Sequence, residues 1–288
     1  MLISGFTFLR NGAMLGYPFL QSIQSVLPIV DEFIIALGPC EDDTLEQLEA
    51  LAKSESKIKI IHTIWSEKMT TRGYVYGQQK MIAQFNCSGD WAFYLEADEV
   101  VHEEDLEKIK DACIKYKDDK NVEALVFDYL HFYGNKNTYL WSPSWYRSEP
   151  RIIKNSIRTY APDGLYWIVL KSKKIGRYPK AVKTGAKIYH YGWVRTAEQV
   201  DLKDAKIKKY WDKPTDDAMD YSQVDPYILK EFTESHPNVM SNFLVPADGI
   251  LKADPNYKLK RKDKINRIRL KIEGLFNLDF SKRHYKKI

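Results

Sequence analysis

Ser88-Gly89-Asp90-Trp91-Ala92-Phe93-Tyr94-Leu95-Glu96-Ala97-Asp98-Glu99 reads as a turn, an apolar strand over Trp91–Leu95, and three acids within four residues. A strand with no polar alternation is buried on both faces, as in parallel sheets. Upstream of it, strand patterns at Leu2–Leu9, Phe33–Leu37 and Lys57–Ile64 are separated by helical spacing over Tyr17–Leu27 and Asp43–Ala52, and Arg72–Phe85 is a third helix. Downstream, Glu103–Tyr116 is helical. Strands alternating with helices of about ten residues predict an α/β class, a parallel sheet covered on both faces.

Sheets of this class bind ligands beyond the carboxyl ends of their strands. There the chain has Arg10-Asn11-Gly12, then Gly38-Pro39-Cys40-Glu41-Asp42-Asp43, then Glu96-Ala97-Asp98-Glu99. No GxGxxG fingerprint and no GxxxxGK[ST] loop occurs, which excludes the usual dinucleotide and P-loop sites. Extended backbone points Glu96 and Asp98 the same way, a pairing that suits a hard cation such as Mg²⁺ or Mn²⁺. Acids here would equally complement the dipole of the helix beginning near Glu103, and spacing leaves both readings open.

With 288 residues, 44% hydrophobic and 29% charged, the chain can build one large core or two small ones and is not a disordered polymer. No run approaches the roughly 20 apolar residues of a membrane span. Residues 1–9 are apolar but lack a basic leader and a small-residue cleavage site, so a secretory signal is not expected. Cys40, Cys87 and Cys113 are too few and too scattered for a disulfide framework, which suits a reducing cytosol.

From about residue 122 the pattern changes. Val122–Phe132 reads as a long strand, Arg151–Lys154 and Ala186–Tyr191 as shorter ones, and Ala197–Tyr210 as a polar helix. Tyr139, Trp141, Trp145, Tyr146, Trp167 and Trp193 form an aromatic belt, good core and good platforms for sugar faces. Pro214, Pro226, Pro237, Pro246 and Pro255 punctuate irregular segments. The net charge of +5 is uneven: residues 257–288 carry twelve lysines and arginines against three acids, +9, and the preceding 256 residues carry −4. Within that tail, Ile265, Ile268, Leu270, Ile272 and Leu275 alternate with basic residues over Lys264–Phe276. Such a segment lies on an anionic membrane or packs its apolar side on the domain.

The stretch from Arg72-Gly73 through Gln78-Gln79-Lys80 and Ser88-Gly89-Asp90-Trp91 to Glu96-Ala97-Asp98-Glu99 resembles the centre of the family 2 glycosyltransferases. There an Arg-, Asn- or Gln-rich helix leads through a Gly-Asp turn into a strand ending in a DxD-type motif. Arg10-Asn11 is similar to the family's first nucleotide-contacting turn, and Glu41-Asp42-Asp43-Thr44 to its acidic loop. Ile188-Tyr189-His190-Tyr191-Gly192-Trp193-Val194-Arg195 looks like the His-bearing segment of a bacterial branch. The resemblance covers residues 1–195 and implies a GT-A (Rossmann-like) fold, a mostly parallel mixed sheet flanked by helices. It divides into a nucleotide-sugar-binding half, 1–120, and an acceptor half, 121–195, with 196–288 as a helical basic extension. It also implies a nucleoside-diphosphate sugar donor and a divalent metal, Mn²⁺ or Mg²⁺.

By the same resemblance Asp98 is the metal ligand and Glu96 a contact to ribose or to a metal-bound water. His190 completes the coordination or bonds the diphosphate, unless it is a strand histidine among Tyr189, Tyr191 and Trp193. Where the family has an Asp-Asp pair after strand two, this chain has Leu37-Gly38, which passes base or ribose recognition to Glu41 or Asp42. From residue type, Arg10, Arg72 (just after Thr70-Thr71) and Lys80 are candidate cations for the diphosphate, with Arg151 and Arg195 behind them; the plain reading is solvated surface charges, favoured for Lys80. A carboxylate in the acceptor half should take the acceptor's proton. Asp163, in Ala161-Pro162-Asp163-Gly164, comes first and Glu149, in Ser148-Glu149-Pro150-Arg151, second, although both pairs also favour plain turns.

The expected activity is metal-dependent, inverting sugar transfer to a glycan or lipid-linked acceptor in cell-surface polysaccharide or lipopolysaccharide assembly. The expected place is the cytoplasm, peripheral on the inner face of the membrane. Two other classes stand beside it. A sugar-phosphate nucleotidyltransferase would want a richer Gly, Arg and Lys loop after strand one than Arg10-Asn11-Gly12. A nucleic-acid binder would use the basic tail, but the body at −4 gives it little help.

Overall fold

The computed structural model describes residues 1–69, 71–211, 220–243 and 249–288; Thr70, Pro214 and Pro246 lie outside them. The first half alternates as expected: β1 (Ile3–Leu9), α1 (Phe19–Val26), β2 (Glu32–Leu37), α2 (Thr44–Ser54), β3 (Ile58–His62), α3 (Tyr74–Phe85), β4 (Trp91–Tyr94), a short β5 (Glu99–Val101) and α4 (Leu106–Tyr116). The second half has β6 (Ala124–Tyr133), β7 (Asn135–Leu140), β8 (Ser148–Lys154), β9 (Thr159–Tyr160), β10 (Ile168–Leu170), β11 (Gly176–Arg177) and β12 (Lys180–Trp193). After these come α5 (Ala197–Ile207), β13 (Leu229–Glu231), α6 (Arg261–Phe276) and β14 (Lys286–Lys287).

Strands β3, β2, β1 and β4 lie side by side in that order, all parallel. Antiparallel β8 follows β4, and β6 follows β8. The other edge of β6 pairs in parallel with the long β12, which also holds β5. This is the α/β, Rossmann-like arrangement expected of a GT-A domain. The apolar strands have no polar alternation because both faces are covered. Phe33, Ile35, Trp91 and Phe93 face a layer containing Phe19, Ile23 and Val26 of α1 and Ile109 of α4. Ile34, Ala36, Ala92 and Tyr94 face the opposite layer with Ala83 of α3 and Trp167. Helix α3 presses so closely on the loop at 161–163 that a Cβ on Gly77 would stand 2.3 Å from the Ala161 carbonyl oxygen.

Residues 196–288, expected as a helical extension, also complete the sheet. β13 pairs with β7, and β14 with β12. These edge strands are two or three residues long, too short to show a period in the sequence.

Glu32 ties together three segments at the amino end of this sheet. It accepts from Ser4 Oγ (2.7 Å), from Ser88 N and Oγ (2.7 and 2.8 Å), and from Lys59 Nζ (2.7 Å). Burial would raise its carboxyl, but Lys59 and the Ser88 and Ser4 donors overcome that and hold it at about 2, against an ordinary 4.5. A depressed acid stabilises the fold above its unfolded pKa and loses that contribution as pH falls toward the folded value. Glu32→Gln should therefore lower the melting temperature near pH 7 by roughly 5 °C, from the ~1.5–3 kcal/mol of charged hydrogen bonds. The gap to the wild type should close as the pH approaches about 2, which circular-dichroism melts across pH will check.

Candidate active site

The three acids after β4 meet three different environments. Glu99 is fully buried. It accepts from Arg151 Nε (2.8 Å) and Nη2 (2.6 Å), from Tyr129 OH (2.8 Å) and from the Glu96 amide (3.1 Å). Glu96 accepts from Arg151 Nη2 at 2.9 Å and looks into a cavity of about 400 Å³ at the carboxyl ends of β1 and β4. Burial, and then the nearby Glu99 charge, push the Glu96 carboxyl up to about 8. Asp98 lines the same cavity.

Strand register brings the partners of Asp98 together. His190 on β12 lies opposite Glu99 on β5 and opposite His131 on β6. The Asp98 carbonyl accepts from the Tyr191 amide at 2.8 Å, fixing the turn against β12. His131 Nε2 is 2.7 Å from the Tyr146 carbonyl oxygen, and its Nδ1 is 3.0 Å from His190 Nδ1. Burial lowers the pKa of both rings. A carbonyl only accepts, so His131 carries its proton on Nε2. Its Nδ1 must then accept from His190 Nδ1–H. This relay leaves His190 Nε2 as a lone pair facing Asp98 Oδ1 across 3.6 Å.

Two acceptors facing each other with no proton between them suit a cation. Gly192 keeps the space beside them clear: a Cβ there would stand 2.5 Å from His190 Nε2 and 3.0 Å from Asp98 Oδ2. Among the described residues no cluster of three or more metal-type side chains forms. The chain thus offers two donors, and a hard cation would draw its other ligands from phosphate and water, as Mg²⁺ and Mn²⁺ commonly do. The residues present fit such an ion.

Helix α5 and Arg195, two residues before it, add positive charge. Lys203 Nζ is 3.5 Å and Arg195 Nη2 3.7 Å from Asp98 Oδ2. Burial alone would raise the Asp98 carboxyl, but Lys203 first, with Arg195 behind it, overrides burial and holds it below its ordinary range. Burial, with Arg195 adding to it, brings Lys203 down to about 8.

The cavity's opposite end is aromatic. Trp65, Tyr76 and Tyr210 meet edge to face at centroid distances of 5.4–5.9 Å. Trp65 packs directly on Gly38, where a Cβ would be 2.5 Å from the indole nitrogen. The Leu37-Gly38 departure from the family pattern is thus paired with an aromatic wall. Arg10 lines this end and bonds Glu67 (2.6 Å), Tyr210 OH (3.2 Å) and the Pro39 carbonyl oxygen (3.0 Å). Asn11, in left-handed backbone that Asn tolerates, receives the Glu41 amide at 2.8 Å, and both residues line the cavity.

Other expected site residues sit elsewhere. Asp42 accepts the amides of Met14 (2.7 Å) and Thr44 (3.2 Å), a loop clamp outside the cavity wall. Arg72 is exposed just before α3 and does not line the cavity. Lys80 is fully buried, donating to the Gly164 (3.1 Å) and Leu165 (3.2 Å) carbonyls over the Trp167 and Tyr94 rings, so it braces the wall from behind. Glu149 is also fully buried and pairs with His284, with no face on the cavity. Asp163 receives the Leu165 amide at 2.8 Å, next to Gly164 and Leu165 of the cavity wall. Of the aromatic belt, Tyr146 reaches the cavity and Trp167 is core. His131, Lys203, Trp65 and Tyr210 had no signal in the sequence, because each arrives through pairing or packing at long range.

The model of the family described as glycosyl transferase family 2 matches residues 18–166, about half of the chain. No curated protein matches. Among solved structures, S. aureus TarS 1–349 in complex with UDP is similar at 12% identity and a TM-score of 0.37, covering 54% of this chain and 47% of that one. Longer S. aureus TarS aligns at 12% and 0.41 over 72% and 39%. Glucosyl-3-phosphoglycerate synthase from Mycobacterium tuberculosis, in complex with Mn²⁺, UDP and glucosyl-3-phosphoglycerate, aligns at 18% and 0.31 over 44% of each chain. This chain spans less than half the length of each of those proteins.

Arg151 supplies the counter-charge for Glu99, and removing one partner of a buried pair costs about 3–5 kcal/mol. Arg151→Met should lower the melting temperature by roughly 10 °C. The double variant Arg151→Met, Glu99→Leu should recover much of the loss, because the orphaned carboxylate is then gone.

Proposed function

The chain belongs to glycosyl transferase family 2, and from that premise we propose that it transfers a sugar from a nucleoside-diphosphate donor bound in the cavity at the carboxyl ends of β1 and β4. The observation that carries the reading is the pair of facing acceptors, Asp98 Oδ1 and His190 Nε2, set beside Lys203 in that cavity. In this reading the base and ribose lie toward Trp65, Tyr76 and Tyr210, with Asn11 and Glu41 at the rim. The diphosphate lies toward Asp98, where Lys203 draws it in, and Arg10 and Lys206 face it from the nucleoside end. Glu96, whose carboxyl burial pushes up, contacts a donor hydroxyl or a bound water.

Asp98 and His190 would hold Mn²⁺ or Mg²⁺, which when bound supplies Lewis-acid neutralisation of the diphosphate leaving group. Lys203 adds a fixed positive charge at the same place. Asp163, beside the Gly164–Leu165 wall, takes the acceptor hydroxyl proton as that oxygen bonds to the anomeric carbon and the bond to the diphosphate breaks. Attack from the face opposite the leaving group inverts the anomeric centre. The acceptor is a glycan or a lipid-linked sugar, in the assembly of cell-surface polysaccharide.

A thermal-shift panel of UDP, GDP, CDP and dTDP, each with and without Mn²⁺, tests donor binding. One nucleotide at 100 times its dissociation constant should stabilise the wild type by about 2.7 kcal/mol, and only with metal. Asp98→Asn and Gly192→Ala should each abolish that shift, the second because its methyl group enters the space beside His190. No shift with any nucleotide would overturn the reading. For the proton acceptor, Asp163→Asn should keep the nucleotide shift and lose at least 100-fold in turnover, and unchanged turnover removes Asp163 from that role.

A further inference from the structure

Helix α6 packs the wrong way round for a helix that merely covers a core. Its inward residues are polar: Asn266 donates to Ser144 Oγ at 2.9 Å, and Glu273 accepts from Arg147 Nη1 and Nη2 at 2.9 and 3.0 Å. Arg267 bonds Asp225 at 2.6 Å, and Leu270 alone joins an apolar cluster. At ~100° per residue, Ile265, Ile268, Ile272, Leu275 and Phe276 fall within a ~100° stripe on the far side from Asn266. Ile268 is 59% exposed, Leu275 77% and Phe276 69%, and the chain beyond the helix adds exposed Leu278 and Phe280. Lys264 and Lys271 run along one margin of the stripe, and Lys262 and Arg269 along the other, all exposed.

We propose that the outward stripe of α6 is a docking surface for an anionic lipid bilayer. Five large apolar side chains on one face, bordered on both sides by lysine and arginine in a segment of net charge +9, match a surface with an apolar interior and acidic headgroups. A second copy of the helix fits poorly, since pairing two such stripes sets basic margin against basic margin. A nucleic acid would satisfy the margins and leave the stripe in water. None of the described helices is long and apolar enough to cross a membrane, so the contact is one of lying on the surface. Ser144 and Arg147, which hold α6, flank Tyr146 of the cavity wall. Taken with the proposed sugar transfer, that sets the acceptor side of the cavity near the bilayer; the docking itself does not rest on that reading.

Co-sedimentation of the full chain with vesicles of phosphatidylcholine containing 30% phosphatidylglycerol tests it. The protein should pellet with these vesicles, and at least tenfold less with pure phosphatidylcholine. Leu275→Ser with Phe276→Ser should weaken binding to the anionic vesicles more than tenfold. Both positions are solvent-facing, so the variant should keep the wild-type melting temperature and any nucleotide-induced shift. Protein left in the supernatant with anionic vesicles overturns the proposal. So does a double variant that pellets like the wild type, since binding would then be by charge alone. A wild type that light scattering shows to be a dimer, with a monomeric variant and no vesicle binding, makes the stripe a self-association surface and overturns it too.

Discussion

A guanidinium and a carboxylate with no access to water hold this site together. Arg151 and Glu99 are both fully buried, and desolvating two charges is tolerable only when every polar atom finds a partner. Here the pairing is dense: Glu99 takes two arginine donors, the Tyr129 hydroxyl and the Glu96 amide. Arg151 Nη2 also donates to Glu96, and the remaining nitrogen, Nη1, donates to the Leu165 carbonyl oxygen. One pair thus connects the turn after β4, the strand β8 and the loop at 164–165, of which the turn and the loop line the cavity. Lys80 fixes the same loop from α3, so the wall is rigid on two sides.

That anchoring is what frees Asp98. Neighbouring acids that shared one environment would repel and leave one protonated. Here burial and the Glu99 charge push Glu96 toward the neutral acid, Arg151 compensates Glu99, and Lys203 and Arg195 approach Asp98, whose carboxyl is held below its ordinary range. The cations come from beyond residue 194 and the acid from residue 98, so the charge balance of the site is assembled across most of the chain. A ligand that brings both a metal and a diphosphate would exchange one set of compensating charges for another, with little net change in buried charge.

The strand alternation and the burial of both sheet faces were legible because they are written in local periodicity. Asp98, Asn11 and Glu41 were legible as residue types at strand ends, the places where side chains face a common edge, and His190 through the family resemblance. What was not legible depends on partners far away in the chain. Lys80 reads as a surface cation in a helix, and only the fold shows two carbonyls and two rings around it. Glu149 sits in a turn-like Glu-Pro pair, and only the return of the chain at His284 shows that it is sealed. The tail's periodicity correctly announced a helix with an apolar face, but which face would dock depended on Ser144, Arg147 and Asp225.

The short segment between β7 and β8 carries more than its length suggests. Arg147 lies over Trp141 at 4.1 Å while holding Glu273 of α6, and Ser144 holds Asn266 one helical region earlier. Between them Tyr146 gives its ring to the cavity and its carbonyl to His131, the group that sets the tautomer of His190. The helix and the imidazole pair are therefore bonded to the same few residues of backbone. Polar anchors suit a fixed placement of α6 better than an apolar interface. A bidentate arginine–carboxylate pair fixes direction as well as distance, whereas packed side chains allow sliding.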